Sequence, residues 1–141
     1  MNFPRAIGTC FRKYATFTGR AQRSEFWFFC LYYSLTLYAE VLALRMLPTT
    51  FGYALRDPKL APIALLLFLF MLGNYIPLLA VTSRRIRDTG ASGWFALLHL
   101  VPFVGIFIVM IWCLIPGKRG TNQYGPDPLG GDIAQIRAEF T

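Results

Sequence analysis

Three long, largely apolar runs separated by charged or turn-forming segments dominate the sequence. They cover residues 25–44, 61–81 and 94–115. A run of about 20 apolar residues matches the hydrocarbon thickness of a bilayer when it forms an α-helix. We therefore predict an all-α membrane protein with three transmembrane helices in a single domain. A soluble helical core is the alternative, but runs of this length seldom fit inside a small soluble domain.

The segment 4–17, before the first run, has an amphipathic pattern. Its apolar residues recur at spacings of three and four, while Arg5 and Arg12 point to the opposite side of a helix. The apolar positions are Phe3, Ala6, Ile7, Cys10, Phe11, Tyr14 and Phe17. This pattern predicts an interfacial helix that lies in the headgroup layer. The alternative is a helix packed on the protein's own spans.

The first span carries two acidic residues with different roles. Glu25 follows Ser24, a suitable N-cap, and a carboxylate in the first turn favours the helix dipole. Glu40 lies in the last third of the span, where an ionisable residue is a functional candidate by default. The alternative is that Glu40 sits near the outer interface and pairs with Arg45 or Arg56.

Polar and helix-breaking residues also interrupt the second and third spans. Asn74 and Pro77 lie in the second half of span 61–81 and need partners from neighbouring helices. Pro102 and Gly105 should bend the third span. His99, alone on that span, is predicted to be a packing residue rather than a ligand. A polar path that combines Glu40, Asn74 and His99 is a second hypothesis.

An arginine-rich hinge, residues 84–94, joins the second and third spans with the sequence R-R-I-R-D-T-G-A-S-G-W. Arg84 and Arg85 suit the C-terminal end of a helix, where cations oppose the negative end of the dipole. Asp88 and Gly90 are typical of a turn. A charged loop that only fixes topology is the alternative, although that role needs no Asp-Thr-Gly.

Turn-forming residues fill the remaining connections. Residues 47–60 predict a short loop, and residues 116–141 predict an irregular tail. Residues 132–140 could add a short amphipathic helix through Ile133, Ile136 and Phe140.

Composition and charge support a membrane protein. Apolar residues make up 55% and charged residues 15% of the chain, whereas soluble domains have roughly 25% charged residues. The net charge of +7 comes from 14 basic and 7 acidic residues, and the basic residues flank the apolar runs, as expected at an anionic membrane surface. The sequence has no aromatic–basic recognition motif, so we do not expect a nucleic-acid partner.

The three cysteines, Cys10, Cys30 and Cys113, are far apart and include no C-x-x-C pair. This spacing predicts neither a disulfide framework nor a metal site, and no motif indicates a cofactor. The first apolar run begins near Phe26 and lacks the layout of a cleaved signal, so we interpret it as a retained span.

Basic residues predict the topology. The N-terminal arm, residues 1–24 before the first span, and the hinge hold eight: Arg5, Arg12, Lys13, Arg20, Arg23, Arg84, Arg85 and Arg87. The first-loop side and the tail hold six: Arg45, Arg56, Lys59, Lys118, Arg119 and Arg137. The excess favours a cytoplasmic arm and hinge. Three spans would then place the C-terminus in the periplasm.

Three motifs stand in order along the chain. Residues 17–27 read F-T-G-R-A-Q-R-S-E-F-W, the hinge follows, and residues 122–128 read N-Q-Y-G-P-D-P. They resemble the patterns F-x-G-R-x-x-R-x-E-[FY]-W, R-R-x-H-D-T-x-x-S-x-W and N-x-[FY]-G-P-D-P of the small bacterial inner-membrane proteins of unknown function typified by YhaH. The resemblance covers about residues 11–129. It implies a helical fold in the inner membrane and supplies no reaction.

Two positions depart from that family pattern. Arg87 stands where the family has histidine, and Ala91 stands where a basic residue often follows the glycine. Arginine can be neither a catalytic base nor a neutral metal ligand. The sequence also lacks G-x-S-x-G, H-E-x-x-H, P-loop and dinucleotide motifs. The Asp-Thr-Gly at Asp88 resembles an aspartic-protease triplet, but its neighbouring arginines oppose a shared-proton dyad. We therefore expect no enzyme.

The leading hypothesis is an inner-membrane module whose cytoplasmic face binds anionic lipid headgroups or a partner protein, because guanidinium groups bind phosphate in a two-pronged geometry. Its candidate site residues are Arg20, Arg23, Glu25, Arg84, Arg85, Arg87 and Asp88. We expect the two acids to pair with some of the arginines and hold the arm against the hinge. The alternative is an oligomeric transporter or channel, since three spans are too few for a monomeric pore. A homo-oligomer or a membrane-protein partner is compatible with either hypothesis.

Overall fold

The structure is a computed structural model that describes residues 1–46 and 59–130. These ranges contain four α-helices and a 3-10 helix: α1 Phe3–Arg12, α2 Arg23–Met46, α3 Ala61–Asp88, the 3-10 helix Gly93–Leu100 and α4 Val104–Leu114. Most of the predicted loop 47–60, including Arg56, and the suggested helix 132–140 lie outside the described residues.

Helices α2 and α3 are both long and apolar enough to cross a membrane. Their 24 and 28 residues correspond to about 36 and 42 Å at a rise of 1.5 Å per residue. Helix α3 begins at the predicted residue 61 but continues past Val81 to Asp88. Much of the predicted hinge is therefore the end of a helix, and its arginines lie on helical turns.

The prediction of one continuous third span over residues 94–115 is wrong. The segment forms the 3-10 helix and then α4, which has 11 residues and is about 17 Å long. Phe103 separates them with a φ of 61°, a left-handed conformation that an α-helix cannot contain. Pro102 precedes it, so the sequence feature that predicted a bend marks a complete break.

The two parts of this segment form a hairpin. A Cβ atom on Gly105 would overlap the Leu98 carbonyl, so the two arms meet backbone to backbone near the break. At the other end, the carbonyls of Cys113 and Ile115 accept hydrogen bonds from Arg85, near the end of α3. The hairpin thus starts and finishes at the same end of α3, and does not cross to the other end.

Helix α1 packs against α2. The rings of Phe3 and Phe28 meet edge to face with centroids 5.8 Å apart, and Phe11 meets Phe29 at 5.7 Å. Arg5 is exposed on the opposite side. The helix ends at Arg12, five residues before the predicted end. This contact agrees with the alternative of packing on the protein's own spans, and an interfacial position for the rest of its surface stays a prediction.

The buried core lies toward the C-terminal half of α3 and draws on all four α-helices. Its members are Cys10, Ala21, Phe26, Phe29, Leu78, Val81, Ile86, Ala96, Val109 and Cys113. The arginines of α3 lie directly beside this core, which positions the candidate site.

Candidate functional site

The last two turns of α3 bring a carboxylate and two arginines into the protein interior. Arg84, Arg85 and Asp88 are all buried. Arg85 Nη1 donates to Asp88 Oδ2 across one turn of the helix. Nε and Nη2 of Arg20, from the arm, both lie 2.8 Å from Asp88 Oδ1. Each oxygen of Asp88 therefore has its own arginine.

Glu25 forms a second buried ion pair at the start of α2. Arg84 Nη1 donates to Glu25 Oε1 at 2.7 Å, and the Ala21 amide donates to the Arg84 carbonyl at 3.2 Å. Burial, and after it the Glu25 carboxylate, raises the pKa of the Cys10 thiol to about 12. That thiol therefore stays protonated and can donate to Glu25, 3.8 Å away.

We call Arg20, Glu25, Arg84, Arg85 and Asp88 the arginine hub. It joins the arm to the hinge, the arrangement expected from the sequence. Buried ion pairs recover their desolvation penalty only with good geometry and further hydrogen bonds. Here the further acceptors are backbone carbonyls on both sides of the hub.

Several of those carbonyls belong to the tail. Arg20 Nη1 donates to the Gly120 carbonyl at 2.5 Å, and Arg20 Nη2 donates to the Lys118 carbonyl. The Lys118 amide donates to the Asp88 carbonyl at 2.9 Å. A Cβ on Gly117 would overlap the Asp88 carboxylate. Glycine thus lets the tail pass directly over the hub.

The tail contacts correct the predicted topology. Residues 116–130 lie at the same end of the bundle as the arm and the hinge, whereas three full crossings would have placed them at the other end. The sequence-based prediction placed the tail at the other end because it treated residues 94–115, which form the hairpin, as a third crossing. Thr141, the chain end that the prediction placed in the periplasm, lies outside the described residues.

The tail is irregular, but hydrogen bonds hold it to the hinge and to itself. Asn122 Nδ2 donates to the Arg87 carbonyl at 3.0 Å. The Asp127 carboxylate accepts from the amides of Leu129 and Gly120, both at 3.0 Å. The Leu129 hydrogen bond is the main reason that the pKa of Asp127 lies below its usual value. The ionised form of Asp127 therefore holds the tail loop closed.

The remaining two candidate arginines lie outside the hub. Arg23 is exposed and donates through Nη2 to the Leu114 carbonyl at the end of α4. Arg87 is half-buried and its Nη1 donates to the Phe17 carbonyl at 2.6 Å. Its guanidinium carbon lies 5.3 Å from the ring centre of Tyr124. The predicted set therefore divides into five hub residues and two others.

A cleft of about 360 Å³ opens between the arm and the tail, over the hub. We call it the interface cleft. Its charged lining residues are Arg20, Arg23, Arg85, Asp88, Lys118, Arg119 and Asp127. Sequence reasoning missed Lys118, Arg119 and Asp127 because it placed the tail on the other side of the membrane. The tail motif of the family resemblance was the one signal that pointed to this segment.

The hypothetical polar-path residues occupy three separate surroundings. Asn74 Oδ1 accepts from Tyr32 Oη at 3.1 Å, between α2 and α3. His99 lies in the hairpin, where its carbonyl is 3.4 Å from Tyr75 Oη. Glu40 borders a small cavity whose other lining residues, among them Met71, are apolar. No hydrogen bond between described residues joins any two of these three side chains.

Among the described residues, no group of three histidine, cysteine, aspartate or glutamate side chains is placed to hold a metal ion. The chemistry that the arrangement does offer is anion binding through guanidinium and ammonium groups.

The described residues form two apolar helices of bilayer length and a shorter apolar hairpin, an arrangement that fits an all-helical membrane protein. Comparison with known proteins identifies the family of this chain. The chain belongs to the family described as Protein of unknown function (DUF805), which matches residues 14–126. That range contains all five residues of the hub.

Two relatives from Escherichia coli (strain K12) are inner membrane proteins. The chain is 33% identical over 120 residues to Inner membrane protein YhaI, covering 85% of this chain and 92% of that protein. It is 33% identical over 117 residues to Inner membrane protein YhaH, covering 83% and 90% respectively. No solved structure matches the chain. The resemblance inferred from the three motifs is thus confirmed, and the apolar helices of this chain fit the same location.

Proposed function

We propose that this protein is a non-enzymatic inner-membrane module that binds the phosphate of anionic lipid headgroups in the interface cleft. The observation that supports this most is the charge of the cleft, whose lining has five basic residues against two acidic ones. Asp88 is already paired twice within the hub. The net charge of the cleft lining is therefore positive. The cleft also lies at one end of the spans, where lipid headgroups are found.

The hub separates structural arginines from those that would bind lipid. Arg20 and Arg85 are directed to Asp88 and to backbone carbonyls. Arg23, Lys118 and Arg119 are exposed on the arm and the tail. Each exposed basic residue near an anionic surface contributes about 1 kcal/mol. These three side chains, and not the buried arginines of the predicted set, would carry the binding.

Replacing Arg23, Lys118 and Arg119 together by alanine tests the proposal. A loss of about 3 kcal/mol corresponds to roughly a hundredfold weaker binding. Binding is measured by native mass spectrometry of detergent-purified protein with added phosphatidylglycerol. The matched control replaces Arg5, Arg12 and Lys13, which are exposed on and just after α1, and removes the same charge. An equal loss in both variants, or none in the first, would contradict a site in the cleft.

The second element of the proposal is a cytoplasmic hub. If α2 and α3 are the two crossings, the basic residues of the arm, the hinge and the described tail share one side. They number ten, since Lys118 and Arg119 join the eight of the arm and hinge, and three remain on the side of the first loop: Arg45, Arg56 and Lys59. This imbalance favours the cytoplasm for the hub side more strongly than the count that supported three spans.

Thiol labelling tests that orientation. Cysteine introduced at Thr18 and at Thr121, both exposed at the hub end, should react with a membrane-impermeant maleimide in inside-out vesicles and be protected in right-side-out vesicles. Cysteine introduced at Lys59, at the start of α3, should show the opposite result. Reaction of Thr18→Cys and Thr121→Cys from different sides would contradict a shared side for arm and tail.

A further inference from the structure

A second cavity, of about 370 Å³, lies between the C-terminal half of α3 and the start of the 3-10 helix. It shares no lining residue with the interface cleft. Its walls are mostly apolar and include Phe17, Leu79, Ala96 and Leu97, with Arg87 as its charged residue. An apolar cavity with few polar groups is the usual form of a small-molecule site.

Arg87 is the hinge arginine whose charge the hub does not balance. Both oxygens of Asp88 are taken by Arg20 and Arg85, and Glu25 pairs with Arg84. Within residues 1–46 and 59–130, no salt bridge involves Arg87. Its Nε is buried without an acceptor from that part of the chain. The guanidinium is half-buried and Nη1 donates to the Phe17 carbonyl, so an anion at its remaining accessible edge would supply the missing opposite charge.

The cavity has a polar end and an apolar end. Gly93 lies against Ser83 and Arg87, since a Cβ on Gly93 would overlap both side chains. Leu79 lies eight residues before Arg87 on α3, which is about 12 Å deeper toward the middle of the helix. The cavity therefore runs from a charged group at the hub end of the bundle toward the hydrocarbon region.

Trp94 places the polar end at the level of the membrane surface. Its side chain is 76% exposed at the edge of the cavity. Tryptophan is enriched where hydrocarbon meets headgroups, because its ring is apolar and its N–H is polar. A ligand in this cavity would thus have its charge near the interface and its apolar part in the bilayer.

We propose that this cavity binds a fatty acid, with the carboxylate on Arg87 and the acyl chain between α3 and the 3-10 helix. A carboxylate can accept a charge-assisted hydrogen bond from the Arg87 guanidinium, whose charge no carboxylate of the described residues balances. The volume of 370 Å³ is near the lower end of the range for ligand sites, about 300–1,000 Å³, so it favours a single chain over a two-chain phospholipid. The site is independent of the phosphate site proposed for the interface cleft.

Photo-crosslinking of the full-length protein in neutral detergent tests this site. Palmitic acid that carries a diazirine should label peptides containing residues 79–87 or 93–97, as mapped by mass spectrometry. Unmodified palmitate should compete for labelling, and phosphatidylglycerol should not. Labelling spread over the lipid-exposed face of α3, or equal competition by phosphatidylglycerol, would overturn the proposal.

Two kinds of variant separate the head and the chain of the ligand. Arg87→Gln should weaken competition by palmitate about tenfold or more, the loss expected for one charge-assisted hydrogen bond, whereas Arg12→Gln on α1 should not.

Ala96→Phe should fill the cavity and abolish labelling. Because Ala96 is buried, the rim variant Leu97→Trp is made as well, and it should reduce labelling without unfolding. Unchanged labelling in Arg87→Gln and in Leu97→Trp would overturn the assignment. The triple variant of the interface cleft should label normally, so the two sites can fail separately.

Discussion

The two halves of α3 have similar lengths but very different surroundings. In residues 61–73 only Ala64 is buried, whereas eleven of the fifteen residues in 74–88 are buried. Leu66 in the first half is 67% exposed, and Leu78 in the second is 4% exposed. The side chains of the first half are mostly exposed, as expected for a helix surface that faces lipid. The second half is enclosed by α1, α2 and the hairpin, and it ends in the buried hub.

This difference shows what each half contributes. The lipid-facing half is constrained mainly to be apolar, so other apolar residues would serve there. The enclosed half depends on specific partners, because Arg84, Arg85 and Asp88 lie where water cannot solvate them. Membrane residence can be read from the first half, and the particular fold depends on the second.

The largest expected effect comes from removing the carboxylate that balances two arginines. Asp88→Asn would leave Arg20 and Arg85 buried without their counterion, which should destabilise the fold by about 3–5 kcal/mol. Unfolding in mixed micelles of increasing dodecyl sulfate fraction, followed by tryptophan fluorescence, would measure the change.

Glu40→Gln is the matched control, because it neutralises a buried acid outside the hub. Glu40 Oε1 accepts no hydrogen bond from the described residues, so we expect no loss of stability. A small effect for Asp88→Asn, or an equal effect for both, would mean that the hub is not what holds this end of the molecule together.

Leucine-to-alanine substitutions compare the halves of α3 directly. Leu78→Ala should destabilise the fold by about 2 kcal/mol through the cavity it creates. This value is at the low end of the range for leucine-to-alanine substitutions in a protein core, since the unfolded helix in a micelle remains in apolar surroundings. Leu66→Ala should change stability little, because detergent or lipid fills the space. Equal effects in the same unfolding assay would contradict the different surroundings of the two halves.

The hairpin that encloses the second half can be weakened at its tightest point. Gly105→Ala would place a Cβ against the Leu98 carbonyl, and such overpacking should destabilise the fold by about 1–3 kcal/mol. The control is Gly8→Ala in α1, where a Cβ would meet nothing within 4 Å and helix propensity should improve. Thermal unfolding in detergent would distinguish them, and a neutral Gly105→Ala would argue against close contact of the hairpin arms.

The sequence was most informative where chemistry acts locally. The apolar runs located α2 and the start of α3, since length and hydropathy decide whether a helix suits a bilayer. The expected pairing of Glu25 and Asp88 with arginines followed from charge balance alone, because buried charges need partners.

The sequence was least informative about where the chain reverses its direction. Pro102 and Gly105 suggested a bend, but the reversal at Phe103 depends on tertiary contacts such as Gly105 with Leu98, which apolar periodicity does not encode. The same error moved the tail to the wrong end and hid Lys118 and Arg119 from the candidate site. The carbonyls that accept hydrogen bonds from Arg20 are backbone groups. Every residue has such a carbonyl, so the residue types in the sequence could not predict these contacts.

The smallest expected effect concerns the tail loop that covers the enclosed half. The pKa of Asp127 is lowered when the loop is folded, chiefly by the Leu129 amide, so ionised Asp127 favours closure. This contribution is fully present above the ordinary pKa of 3.8 and disappears as the pH falls through the lowered value. Asp127→Asn should therefore speed amide exchange at Gly120 and Leu129 at pH 7, while leaving the unfolding midpoint of the helices nearly unchanged. Exchange at these amides that is equally slow in both proteins would show that the loop stays closed without the charge, held by its hydrogen bonds to Arg20, Arg87 and Asp88.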